Sequence, residues 1–510
     1  MRRASCSMLS PSNPGFPWLE SGRCPPRLLL PSAEVKGLPM NSTRQQLELE
    51  ARIPEIIGAT HPVPLLDGRL VDGIYFDNAA STKPFAEVSA FLKSIEPYYS
   101  NIHRGTGFDS IYCTHLYEEA RAIILDFVGG APGKQIVIPV RNTTEGLNLL
   151  AMTMDLDRER DVVITSILEH HSNDLPWRGK AKVEYLPADG EGQLDLDYLE
   201  SRLKAHAGAV KLVSVTGASN VVGTVTPIHA IAALAHAYGA KVCVDAAQLL
   251  PHRAVDMRPE GDPGHLDFLV FSAHKLNSPY GEGAVIGDYS HFQAAAPYLQ
   301  GGGTVYSVSL DHVIWADPPD KQEAGTPNIF GMLAMAKALQ IMQRFGMDNL
   351  VAHEQALTRR MLAGIREIPR VAVYGKTDPE DLEDRLGVVS FTVAGIHHAE
   401  VAAILSYEGG ICVRNGCFCA HPLIKHLLSV TPEQEATFEA AIRAGDRSDV
   451  PGAVRASIGL HNRLWEVEHL LAMLRLIAEE RWQGDYVLDS ATGEFHPRGF
   501  RFDFGNLPGF

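Results

Sequence analysis

Asp267-Phe268-Leu269-Val270-Phe271-Ser272-Ala273-His274-Lys275 is an apolar run that ends abruptly on Ser272, His274 and Lys275. It is apolar at consecutive positions, as a strand covered by helices on both faces must be. A lysine at the end of such a strand has two readings. Its stem can snorkel the ammonium to solvent, or its amine, partly desolvated, can be nucleophilic near neutral pH. A second strand upstream ends in the same way, Lys241-Val242-Cys243-Val244-Asp245-Ala246-Ala247-Gln248, with a carboxylate at its edge.

Working outward, β-branched runs at 135–140, 161–167, 210–215, 241–244 and 267–271 alternate with helical stretches. Strands spaced by helices mean βαβ units and a parallel sheet, with ligands bound where the strands end. The expected fold class is α/β: a large domain over 60–325 with a mainly parallel sheet, then a smaller C-terminal α/β domain over 326–482. A long helix is expected at Ile329–Phe345. Residues 41–70 are expected to pack on the smaller domain, and 483–510 form a tail without a period. Residues 1–40 are proline-rich and aperiodic, hence expected to be disordered, and Met40 is as good a start as Met1. The charged stretch Asp378–Arg385 reads as a solvated loop or helix start.

The 510 residues carry 45 Lys+Arg against 61 Asp+Glu, a net charge of −16 that repels polyanions. Nucleic acid and anionic membranes are therefore disfavoured as partners, leaving small molecules and proteins. With 45% hydrophobic and 21% charged residues the composition is that of a folded globular chain. Seven cysteines are too few for a disulfide framework, which points to a reducing compartment and a cytoplasmic location. No run of about 20 apolar residues exists to span a membrane.

Asp245 and Lys275 together suit pyridoxal phosphate, whose pyridine nitrogen stays protonated beside a carboxylate and whose aldehyde condenses with an amine. Taken alone, Asp245 could equally cap a helix. Asn142-Thr143-Thr144-Glu145-Gly146 opens a helix after strand 135–140, offering hydroxyls and free N–H groups to a phosphate, although it also reads as a plain N-cap. His170 follows strand 161–167 and could stack on a planar ring.

These segments, with Tyr75-Phe-Asp-Asn-Ala-Ala-Ser81, Asn101-Ile-His-Arg-Gly105, Glu323-Ala-Gly-Thr-Pro-Asn328 and Val454-Arg-Ala-Ser457, resemble the class V aminotransferase superfamily of fold-type I pyridoxal-phosphate enzymes. The resemblance covers about 70–480 and is greatest to the group II (Suf-type) cysteine desulfurases and selenocysteine lyases. It implies that Lys275 forms the Schiff base, Asp245 pairs with the pyridine nitrogen, Gln248 reaches the ring oxygen and His170 stacks on the ring. It implies that Thr144, Ser272 and His274 hold the phosphate, joined by Thr326 of the other subunit, hence a homodimer. Asn220, Arg414 and Arg455 match substrate positions, Arg455 as the carboxylate clamp.

In Val413-Arg414-Asn415-Gly416-Cys417-Phe418-Cys419-Ala420, Cys419 falls on the family's catalytic cysteine, and Phe418 stands where a His or other polar residue is common. A thiolate there would attack the sulfur of bound cysteine, leaving a persulfide for an acceptor protein. Three alternatives stay open: a transaminase, C–S lyase or epimerase for another amino acid with Cys419 a bystander, a cofactor-free binding protein of the same fold, or a small buried thiol. Zinc is disfavoured because Cys-x-Cys side chains on an extended chain point apart, so no metal is expected.

Overall fold

In the computed structural model the large sheet has seven strands: β1 (Gln135–Val140), β2 (Val162–Ser166), β3 (Lys182–Leu186), β4 (Val210–Thr216), β5 (Lys241–Asp245), β6 (Phe268–Ser272) and β7 (Gly283–Asp288). Their order across the sheet is β1-β7-β6-β5-β4-β2-β3, with β7 antiparallel to both neighbours and the other pairs parallel. Residues 46, 48–157, 159–505 and 507–509 are described, so the segment expected to be disordered lies outside them.

The strands are apolar throughout because each face meets its own core. Val242, Val244, Leu269 and Phe271 enter one cluster, while the alternating Cys243, Phe268 and Val270 enter another with Leu147, Leu150 and Trp177. Each buried Phe or Val side chain contributes about 1.5–3 kcal/mol by leaving water. Strand register sets Thr216, Asp245 and Ser272 along one edge, with Thr216 opposite Asp245 and Ser272 opposite Gly283. The sheet delivers its polar residues there.

Helix α1 (Phe108–Phe127) packs on α3 (Ile329–Phe345), and α2 (Thr143–Thr153) follows β1. Helix α3 has the expected span; Asn328 caps it by accepting from the Gly331 amide, and it stops at Gly346 with φ 94°. Its buried side chains belong to the larger core, although the expected boundary at 326 falls ahead of it.

A second, antiparallel sheet is formed by β8 (Val371–Tyr374), β9 (Val388–Val393), β10 (Arg414–Gly416) and β11 (Ala453–Ser457) in the order β8-β9-β11-β10. Helices α4 (Met347–Arg366) and α5 (His398–Gly409) flank it. The segment Ile74–Tyr75 pairs with Ile411–Cys412, and Leu66 donates to the Tyr407 carbonyl, so these residues are held at α5 and the strand that follows it.

A hairpin of Tyr486–Asp489 and Glu494–Pro497 covers α5, with Phe502 stacked on Tyr407 at 5.0 Å. One expectation is corrected within 378–385. Asp378, Glu380, Asp381, Glu383 and Asp384 are exposed, but Arg385 is buried and donates to the Val222 and Val388 carbonyls. Backbone acceptors compensate its burial, and no charged neighbour in the sequence announces them.

Candidate active site

Lys275 ends a short turn, Ala273–Lys275, immediately after β6. Loss of solvation lowers its ammonium to about 8, against the opposing charge of Asp245 and with Arg455 adding to the lowering. Asp245 closes β5 fully enclosed, one carboxylate oxygen accepting from the Ala247 amide at 2.9 Å. Burial pushes its carboxyl up, while that amide and Lys275 pull it down. The two strand-end groups are electrostatic partners.

The loop 75–82 closes over this edge. Gln248 Nε2 donates to the Ala79 carbonyl at 2.7 Å, and the His274 carbonyl accepts from the Thr82 amide at 2.9 Å and from the Ser81 and Thr82 hydroxyls. Burial, then Lys275, lowers the His274 imidazole to about 4. Ser272 Oγ accepts from the Thr143 amide at 2.8 Å and lies 2.6 Å from Thr143 Oγ1, fastening β6 to the start of α2.

Thr144, exposed at that helix start, has its hydroxyl 2.7 Å from Ser172 Oγ, which is 2.9 Å from His170 Nδ1. Nδ1 also accepts from the Ser172 amide at 3.2 Å, so the ring proton sits on Nε2. Burial, Lys275 and neighbouring cations hold His170 down at about 4, so the ring is neutral at pH 7. Below it, Glu169 accepts from Ser166 Oγ at 2.5 Å and Asn173 Nδ2 at 2.6 Å. That buried network fixes the turn carrying His170.

The second sheet contributes the cations. Arg414 and Arg455 are direct cross-strand partners, a like-charge pairing that is destabilising unless neutralised. Asp77 neutralises it, accepting from Arg414 Nη2 at 2.6 Å and Arg455 Nη2 at 3.2 Å. Arg455 is buried, and its Nη1 donates to the Asn220 carbonyl at 3.0 Å. Its buried Nε has no partner, a donor left over for an anion.

Cys419 is exposed at a tight turn closed by the Ala420 amide donating to the Cys417 carbonyl at 2.9 Å. The Cys419 carbonyl accepts from the His171 amide at 2.8 Å, and the Phe418 carbonyl accepts from Asn220 Nδ2 at 2.8 Å. Cys419 lies near enough to Lys275 and Arg455 for the thiol and the two cations to interact electrostatically. The Cys417 thiol instead donates to the Pro451 carbonyl at 2.9 Å, and burial pushes it up to about 11.

Every residue expected at the site except Thr326 thus belongs to one connected set. Thr326 is exposed on the loop 323–328, and among the described residues no hydrogen bond joins it to the others. The roles of Asp77, His171 and Ser172 are not legible in the sequence, while Thr143 and Phe418 fall in stretches already singled out, without the contacts they make here. Asp77 lay within a quoted motif, but the arginines that explain it are more than three hundred positions away.

A family model described as aminotransferase class-V matches residues 74–470. The chain belongs to this family. Among its curated relatives, a probable cysteine desulfurase of Pyrococcus abyssi is 35% identical over 431 residues, covering 83% of this chain and 97% of the relative. A probable cysteine desulfurase of Streptomyces coelicolor is 33% identical over 424 residues, covering 80% and 93%. The apo cysteine desulfurase of Thermococcus onnurineus matches in structure with a TM-score of 0.70 at 34% identity, covering 80% of this chain and 95% of that one. The α/β architecture is that of fold-type I enzymes in this family.

Proposed function

We propose that this chain is a cysteine desulfurase that converts L-cysteine to L-alanine and holds the sulfur as a persulfide on Cys419. The observation that carries the reading is the exposed Cys419 thiol, on a turn clamped by His171 and Asn220 and within the field of Lys275 and Arg455. Relatives and solved neighbours of the same name support it.

The donor set fits pyridoxal phosphate. Asp245 is a carboxylate whose burial disfavours its charge, a cost that a pyridinium beside it offsets. Lys275 is partly desolvated beside it, and the start of α2 supplies hydroxyls and N–H groups for a phosphate. Lys275, Asp245, Gln248, His170, Thr144, Ser272 and His274 would hold the cofactor, and Thr326 would serve the second copy in a homodimer. When bound, the cofactor supplies the electron sink that makes the substrate's Cα proton removable.

Arg455 binds the substrate carboxylate, using the free Nε donor, and so orients the sulfur toward Cys419. Lys275 Nζ takes the Cα proton. The Cys419 thiolate attacks the substrate sulfur: an S–S bond forms, the C–S bond breaks, and its electron pair stays with the carbon that becomes the methyl of alanine. The pinned turn gives the thiol little reach, so an acceptor protein comes to it. No helix among the described residues is long and apolar enough to cross a membrane, and a reducing cytoplasm suits a free exposed thiol.

The test is incubation of cofactor-loaded enzyme with L-cysteine and a reductant, measuring alanine and sulfide. Wild type yields both, whereas Cys419→Ala keeps the cofactor absorbance and loses sulfide. Unchanged turnover in Cys419→Ala, or pyruvate in place of alanine, overturns the proposal.

A further inference from the structure

Phe418 and Cys419 are the two central residues of the turn 417–420, and both are left-handed, with φ of 53° and 55°. For L-residues this conformation is unfavourable, and for a bulky side chain it is a genuine outlier. Consecutive left-handed residues that are not glycine persist only where the surroundings over-determine them. Here both central carbonyls are taken, Phe418 by the Asn220 side chain and Cys419 by the His171 amide, each at 2.8 Å.

The Phe418 side chain anchors the turn and leaves Cys419 facing solvent. Phe418 is buried, 7% exposed, in the same core cluster as Ala420, Leu423 and Ile424. The Arg455 guanidinium carbon lies 4.9 Å from its ring centroid, within the range of a cation–π contact. Arg455 in turn donates to the carbonyl of Asn220, whose side chain holds the Phe418 carbonyl. Guanidinium, ring, carbonyl and amide therefore close a loop that ends one residue before the thiol.

We infer that Phe418 is a positioning residue that ties the carboxylate-binding guanidinium of Arg455 to the thiol of Cys419, so that a substrate seated on the first presents its reacting atom to the second. The inference rests on the desulfurase reading for its substrate but not for its geometry. A rigid coupling of this kind discriminates by distance: reagents with a carboxylate near the reacting atom are favoured over neutral ones of the same size.

Iodoacetate and iodoacetamide are such a pair. In each, the Cys419 sulfur bonds to the methylene carbon, the C–I bond breaks, iodide leaves with the electron pair and the thiol proton passes to solvent. Mass spectrometry of the full-length, cofactor-loaded protein gives the labelling rate at Cys419 for both reagents. Wild type should favour iodoacetate relative to a free thiol. Phe418→Leu keeps the apolar bulk but loses the ring quadrupole, and the iodoacetate-to-iodoacetamide ratio should fall roughly 2- to 30-fold. Phe418→Tyr, which keeps the ring, should retain the wild-type ratio. Melting followed by circular dichroism checks each variant, and Phe418→Met replaces Phe418→Leu if the latter fails to fold.

An unchanged ratio without the ring, or an equal fall in Phe418→Tyr, overturns the inference. A Phe418-dependent ratio in a protein that makes no alanine from cysteine would leave the inference standing and sink the desulfurase reading instead.

Discussion

Glu354 sits in α4 almost fully buried, with Oε1 2.7 Å from His252 Nδ1 and accepting from the Gly387 amide at 2.8 Å, while Oε2 accepts from Arg253 Nη1 at 2.6 Å. It braces the chain just beyond Asp245 against the start of β9, the neighbour of the strand bearing Arg455. Burial alone would raise this carboxyl, but His252, Arg253 and the Gly387 amide outweigh it and hold it down to about 2, from an ordinary 4.5. That shift corresponds to about 3 kcal/mol at neutral pH, from roughly 1.4 kcal/mol per unit, and enclosure means little solvent screening. A depressed carboxyl contributes stability that is fully present above 4.5 and is lost as pH falls through about 2. Glu354→Gln preserves the volume and removes the charge, so it should cost about 3 kcal/mol at pH 7. By pH 3 the gap should shrink to roughly half, because the wild-type advantage is then draining into the protonated unfolded chain. Urea unfolding of both proteins across pH 7 to 3 measures it. A gap that stays constant over that range would refute the assignment of the brace to the ionised carboxylate.

Lys275→Ala should leave the cofactor unlinked: borohydride followed by mass spectrometry traps an adduct in wild type, and trapping at another lysine would remove Lys275 from its role. Asp77→Asn exposes the Arg414 and Arg455 pairing, and a loss of about 3 kcal/mol is expected because only Arg455 is fully enclosed. Added L-alanine, whose carboxylate can replace the missing anion, should raise the melting temperature of Asp77→Asn more than that of wild type, and equal shifts would contradict the arrangement. Sedimentation should give a dimer, with Thr326→Ala weakening cofactor retention several-fold; a monomer that keeps full occupancy would argue against a site completed by a second copy.

What the sequence disclosed was local. Asp245, Lys275 and Thr144 each stand where an apolar strand gives way to a turn, and that change of character is visible within ten residues. Two strands of the large sheet escaped notice. Lys182–Leu186 lies at the edge, with Lys182 exposed and Glu184 half-buried, so it lacks a central strand's apolar run. Gly283–Asp288 hides behind glycines: a Cβ at Gly283 would stand 2.5 Å from the Phe271 carbonyl, so the close approach of β7 to β6 demands the residue least suggestive of a strand. Arg385 looked like one more exposed charge because its acceptors are backbone carbonyls, which leave no mark in the side-chain pattern.

The site's remaining logic is one of charge across two sheets. The parallel sheet supplies a lysine and an aspartate that balance one another at its edge. The antiparallel sheet supplies two arginines, and the loop ahead of the first sheet brings one aspartate to them. Arg414, Arg455 and Asp77 together leave a single net positive charge; Arg414 is half exposed, and the buried Nε of Arg455 is a donor without a partner. One carboxylate neutralises that balance. The arrangement therefore suits the carboxylate of an amino acid, and the titratable side chain on the turn that faces solvent beside it is the Cys419 thiol.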